Sequence, residues 1–132
     1  MDTTAKKPKV LIIDDSPTIR RIVQSVFERE GFDVSFASDG SEGVRLALMN
    51  LPNIVLLDIM MEGLHGFEVC KMLRANSSLN RSAIIMMSGR SYKPDIDMAM
   101  ALGADSYVVK PFSGEEILKI AVEHMNERAS RL

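Results

Sequence analysis

The sequence holds one cysteine, no tryptophan, two histidines and no surplus of basic residues. The single Cys70 excludes an internal disulfide and a cysteine metal cluster. Cys70 lies within an apolar stripe and reads as buried filler. No apolar run nears the length of a membrane span, so no membrane association is expected. Residues 1–9 are polar and basic with no apolar core to follow, which excludes a secretory signal and leaves a cytoplasmic protein as the expectation. A formal net charge of −2 with 26% charged residues argues against a basic nucleic-acid-binding face, and no direct nucleic-acid contact is expected. Repeats and internal linkers are absent.

What is present suits one domain. At 132 residues with 46% hydrophobic content, the chain can bury a proper core. The expected division is a disordered tail over 1–7, a folded domain over 8–128 and a short tail over 129–132. Most of the ten methionines should fill gaps in the core.

The stretch Asn53-Ile54-Val55-Leu56-Leu57-Asp58 anchors the reading. A short continuous apolar run predicts a strand buried on both faces, as in a parallel sheet. Apolar strands are also predicted over 9–13, 83–87 and 106–109. An alternating strand over 32–37, with Phe32, Val34 and Phe36 on one side, suits a sheet edge. Between them lie helical patterns. Ser16-Pro17 starts the first, with Ile19, Ile22, Val23, Val26 and Phe27 inward and Gly31 as its stop. Asp39 and Glu42 open the second, with Val44, Ala47, Leu48 and Leu51 inward. The third buries Gly66, Val69, Cys70 and Leu73. The fourth, over 95–102, buries Ile96, Ala99 and Met100. Ser113 and Glu116 form a capping box for the last, with Ile117, Ala121 and Met125 inward. Residues 76–82 read as a polar connection. Strands alternating with helices imply a parallel α/β sheet covered on both faces.

Four of these strands end in reactive groups: Asp14-Asp15, Asp58, Ser88 and Lys110. In a parallel sheet all of them share one edge, where ligands bind. Three adjacent carboxylates repel by ~4 kcal/mol per pair at an effective dielectric of 20. An open site of few oxygen ligands suits Mg²⁺. Ser88 offers a hydroxyl and Lys110 a compact positive charge. With a metal they form a clamp for phosphoryl oxygens, against which a carboxylate can act as a nucleophile. Lys110-Pro111 is a place to expect a cis bond.

These residues resemble the response-regulator receiver domain, the CheY-like family of two-component phosphorelay signalling. The matching features are Asp14-Asp15-Ser16, Asp58, Met61 and Gly66, Ser88-Gly89, Tyr107 and Lys110-Pro111-Phe112. They span about residues 8–128. The resemblance implies a flavodoxin-like doubly wound (βα)5 fold with strand order 2-1-3-4-5. It implies that Asp58 accepts a phosphoryl group from a histidine kinase or phosphotransfer protein. Mg²⁺, for which Mn²⁺ can substitute, would sit on Asp15, Asp58 and the Met60 carbonyl, with Asp14 reached through water. Ser88, Gly89 and Lys110 would bind the phosphoryl group. Tyr107 would turn inward, changing the surface of helix four, strand five and helix five for a downstream protein target or a fused output domain. Kinase docking in the family points to Pro17, Thr18, Ile19, Arg20, Pro111 and Phe112. No turnover of a separate substrate is expected.

Glu62 and His65 stand where many receivers have Pro and Asp, and Gly89 replaces a frequent Ala. His65 reads as a solvated loop residue. Met60 and Arg90 occupy positions that influence acyl-phosphate lifetime in the family. The run from Asp14 to Arg21 is similar to stand-alone receivers of chemotaxis-like and twitching-motility systems. Three other readings compete. A receiver-like module can signal by binding alone. A haloacid-dehalogenase-type phosphohydrolase needs an Asp-x-Asp after the first strand, whereas Asp14 and Asp15 are adjacent. A flavodoxin would place a phosphate where these two carboxylates repel it.

Overall fold

The computed structural model describes residues 7–61 and 65–131. The expected N-terminal tail lies almost wholly outside the described residues, as do Glu62, Gly63 and Leu64 of the loop after Asp58. Five strands alternate with five helices in the order β1 (Lys9–Ile13), α1 (Pro17–Arg29), β2 (Asp33–Ala37), α2 (Gly40–Asn50), β3 (Ile54–Asp58), α3 (Gly66–Arg74), β4 (Ala83–Ser88), α4 (Lys93–Ala101), β5 (Ser106–Val109) and α5 (Gly114–Ser130). The strands form one parallel sheet ordered β2-β1-β3-β4-β5.

Successive strand residues point to opposite faces, and the core divides accordingly. Val10, Ile12, Ile54, Leu56, Ile85 and Met87 meet Ile19, Val23 and Phe27 of α1 and Ile117 and Ala121 of α5. Leu11, Ile13, Val55, Leu57, Ile84 and Met86 meet Ala47 of α2, Val69, Cys70 and Leu73 of α3 and Ala99 of α4. Each fully buried aliphatic side chain stabilises by roughly 1.5–3 kcal/mol. All five residues of β3 are buried, so Asp58 ends a strand packed on both faces.

The capping signals act as read. Ser16 Oγ accepts from the Ile19 amide, and Ser113 and Glu116 form a reciprocal capping box. Other details differ. Phe32 precedes β2 and packs edge-on against Phe27 at 5.0 Å. In α2, Leu48 and Leu51 were expected inward, yet both are exposed. Gly40, Gly43 and Ala47 make the contact instead. A Cβ at Gly43 would lie 2.5 Å from the Ile13 side chain, so small residues let α2 sit close to β1. Leu51 caps α2 in the left-handed conformation (φ 49°), which turns it out of the helical stripe. α4 starts at Lys93, with Pro94 in its first turn, and buries only Ala99; Met100 is exposed. The polar 76–82 connection contains a short 3-10 turn, Ser77–Leu79, that buries Leu79. Near it, Asp105 accepts from Arg74 and Arg128, a cluster that the sequence reading missed.

Candidate functional site

The register brings the strand-end groups together. Ile13 pairs with Leu57, so Asp14 and Asp58 emerge side by side from β1 and β3. Asp58 pairs with Met87, so Ser88 follows one residue further along β4. Ser88 pairs with Val109, and Lys110 follows. The Lys110 amide donates to the Ser88 carbonyl at 2.7 Å, and the Lys110–Pro111 bond is cis.

Oxygens of Asp14, Asp15 and Asp58 lie within 4.8 Å of one another. At that spacing each ionised pair repels by ~3.5 kcal/mol at an effective dielectric of 20. Partial compensation is built in. Lys110 Nζ lies 2.9 Å from Asp14 Oδ2 and 3.5 Å from Asp58 Oδ1. The Ser16 amide donates to Asp14 Oδ1 at 2.8 Å, so α1's N-terminal turn faces the acids. Asp14 is wholly buried with both oxygens engaged, whereas Asp15 is exposed. Asp58 is mostly buried and accepts a 3.4 Å hydrogen bond from the Met60 amide. Burial first, then the Asp14 charge, raises the Asp58 pKa above its ordinary value, against the pull of Lys110 and the Met60 amide. This donor set, three carboxylates with one left open to solvent, fits a hard divalent cation such as Mg²⁺.

Gly66 sets the backbone here. A Cβ on it would stand 2.5 Å from the Asp58 carbonyl oxygen and 2.6 Å from Ile59 Cα, so only glycine lets α3 start this close to β3. His65, read as a solvated loop residue, instead caps α3 through Nδ1, which accepts from the Phe67 amide at 3.1 Å. Ser88 is buried, and its Oγ accepts from the Arg90 amide at 3.1 Å. Gly89 is exposed, and a Cβ on it would meet nothing within 4 Å. Tyr107 is half-buried, and its hydroxyl donates to the Arg90 carbonyl at 2.7 Å. The Met60 side chain is exposed.

The expected docking residues divide. Pro17, Thr18 and Pro111 are exposed beside the acids. Ile19 and Phe112 are buried on the sheet face covered by α1 and α5. Arg20 is also occupied. Its guanidinium donates to the Asp14 carbonyl at 3.0 Å and to Ser38, and lies 5.4 Å from the centre of the Phe36 ring. Its sequence neighbourhood gave no sign of this brace, because Ser38 and Phe36 come from another strand and loop.

A doubly wound parallel sheet with an acid cluster and a lysine at its carboxyl edge places the chain among α/β domains that bind ligands at the carboxyl ends of their strands. The family model for the response regulator receiver domain matches residues 10–122, and the chain belongs to that family. Protein PilG of Pseudomonas aeruginosa is 37% identical over 89% of this chain and 87% of its own length. The DNA-binding response regulator MtrA of Mycolicibacterium smegmatis is 35% identical over 89% of this chain but 50% of its own length. This chain thus spans about half of MtrA, and a similar share of several other curated relatives. Among solved structures, the chemotaxis protein CheY4 of Vibrio cholerae matches with a TM-score of 0.84 at 30% identity, over 89% of this chain and 98% of that one. MtrA's name is at odds in part with the expected absence of nucleic-acid contact, since it calls that protein a DNA-binding response regulator. Among the described residues no helix is long and apolar enough to cross a membrane.

Proposed function

We propose that Asp58 accepts a phosphoryl group from a histidine kinase or phosphotransfer protein in the cytoplasm. The observation that carries this is the convergence of the Asp14, Asp15 and Asp58 oxygens within 4.8 Å beside the Lys110 ammonium. A carboxylate oxygen of Asp58 attacks phosphorus. The bond from phosphorus to the donor breaks, and the donor keeps the electron pair. The product is an acyl phosphate on Asp58. Mg²⁺, or Mn²⁺ in its place, would be held by Asp15, Asp58 and the Met60 carbonyl, with Asp14 acting through water; it would supply charge neutralisation for the transferring oxygens. Lys110 and the Ser88 hydroxyl bind phosphoryl oxygens, and the exposed Gly89 backbone leaves room for Ser88 to move. Arg20 keeps Asp14 in place through its carbonyl. Pro17, Thr18 and Pro111 offer the surface nearest the acids to the incoming donor.

The added charge then acts as a switch. Ser88 moves toward the phosphoryl oxygens and takes the Arg90 loop with it, since the Ser88 hydroxyl holds the Arg90 amide. The Tyr107 hydroxyl loses its carbonyl partner and the ring turns inward. The α4-β5-α5 surface changes for a protein target or a fused output domain. A DNA-binding output, as MtrA's name records for that protein, belongs to the fused case. The function is a signalling switch without turnover of a separate substrate.

The test is intact mass after incubation with acetyl phosphate and Mg²⁺. One phosphoryl group is gained by the wild type and none by Asp58→Asn or by the wild type in a chelator. An unchanged wild-type mass, next to a known receiver labelled in parallel, refutes the assignment.

A further inference from the structure

At the amino end of the sheet, Asp105 is shared by two arginines. Arg74 Nη2 lies 2.9 Å from its Oδ2 and Arg128 Nη2 lies 2.8 Å from its Oδ1. The remaining donors of both guanidiniums reach backbone carbonyls. Arg74 donates to Gly103 and Leu79, and Arg128 donates to Asn80. These two side chains are a fixed frame. Beside it opens a cleft of about 620 Å³ lined by Ser77, Ser78, Asn80, Arg81, Arg128 and Arg131. No acid lines it among the described residues, and neither Arg81 nor Arg131, both exposed, has an ion pair among them. Three arginines thus line the cleft, and Arg74 stands behind Arg128 on the shared Asp105. The crowding registers on Arg74, whose pKa is lowered first by burial and then by the Arg128 charge, with Arg131 pushing the same way.

We propose that this cleft binds a small multivalent oxyanion of the phosphate type. Arg81 and Arg131 supply exposed guanidinium forks suited to tetrahedral oxyanions. The Ser77 hydroxyl adds a neutral donor, while that of Ser78 is already donated to Asn76 Oδ1. Arg128, locked on Asp105 and Asn80, sets the positive floor. The site lies at the opposite sheet edge from Asp58 and is independent of its chemistry.

The experiment follows backbone amide NMR signals of the intact chain as inorganic pyrophosphate is added in the presence of a chelator. Saturable shifts are expected at residues 77–81 and 128–131, with the Asp58 amide unmoved. The Arg81→Gln/Arg131→Gln variant should bind at least about tenfold more weakly, equivalent to ~1.4 kcal/mol. Its labelling on Asp58 by acetyl phosphate should be unchanged, and Asp58→Asn should keep the pyrophosphate shifts. Shifts reproduced by sodium chloride at equal ionic strength, or retained in full by the double variant, would overturn the proposal.

Discussion

At the carboxyl end of the strands, three carboxylates cluster beside one ammonium; at the amino end, two guanidiniums share one carboxylate. The two ends are charge-inverted because of how the chain is wound. Each strand's carboxyl end feeds a helix N-terminus, and the C-termini of α1 to α4 lead back to strand amino ends. The first edge therefore collects backbone N–H groups and the second collects carbonyls. Ser16 and Met60 amides serve Asp14 and Asp58, while the Leu79, Asn80 and Gly103 carbonyls serve the arginines. The difference lies in completeness. The Asp105 cluster is closed by its own hydrogen bonds. The acid cluster keeps an excess negative charge that the chain alone does not neutralise.

The largest effect that would sharpen this contrast is at Asp105. Asp105→Ala leaves two largely buried guanidiniums without their acid and should cost about 3 kcal/mol or more in urea unfolding. A loss below about 0.5 kcal/mol, the range of an ordinary surface change, would break the view that this end is a structural closure. Next comes Gly66→Ala. Its Cβ would press on the Asp58 carbonyl, costing about 1–3 kcal/mol and slowing acetyl phosphate labelling of Asp58. Unaltered labelling would mean that the α3 approach does not set the acceptor.

A smaller effect distinguishes the open charge balance of the acid edge. The Asp58 pKa is raised in the folded chain, so that state holds its proton more tightly than the unfolded one. Stability therefore rises as pH falls through the raised pKa toward the ordinary value of 3.8. Without metal, Asp58→Asn should melt above the wild type at neutral pH. The gap should close in acid and narrow when Mg²⁺ stabilises the wild type. A gap independent of pH would show that the carboxylate's charge is not its cause.

Legibility followed the range of the interactions. Asp58 and Lys110 were readable because each ends an apolar strand, and strand ends in a parallel sheet share an edge. Ser16 and Ser113 were readable because caps act within one turn. Leu48 and Met100 misled because an apolar periodicity names a stripe without saying which neighbour will come close. Gly43 and Ala47 won that contact by their small size. Arg74 and Arg128 carried no local signal, since the Asp105 they share lies far along the chain. Ile19 was legible as an inward residue from its helical spacing, whereas the burial of Phe112 depends on where α1 and α5 pack.

The sequence by itself determined the alternation of strands and helices, the caps, and the acids, hydroxyl and lysine that meet at one edge. Local pattern suffices for these because backbone periodicity and strand ends are properties of short segments. Only the tertiary structure decided which side chains are spent holding the fold and which stay open to a ligand. Lys110 on Asp14, Arg20 on the Asp14 carbonyl and two arginines on Asp105 are pairings across the chain, fixed by helix packing and sheet register. Their strength depends on burial, which no short segment specifies.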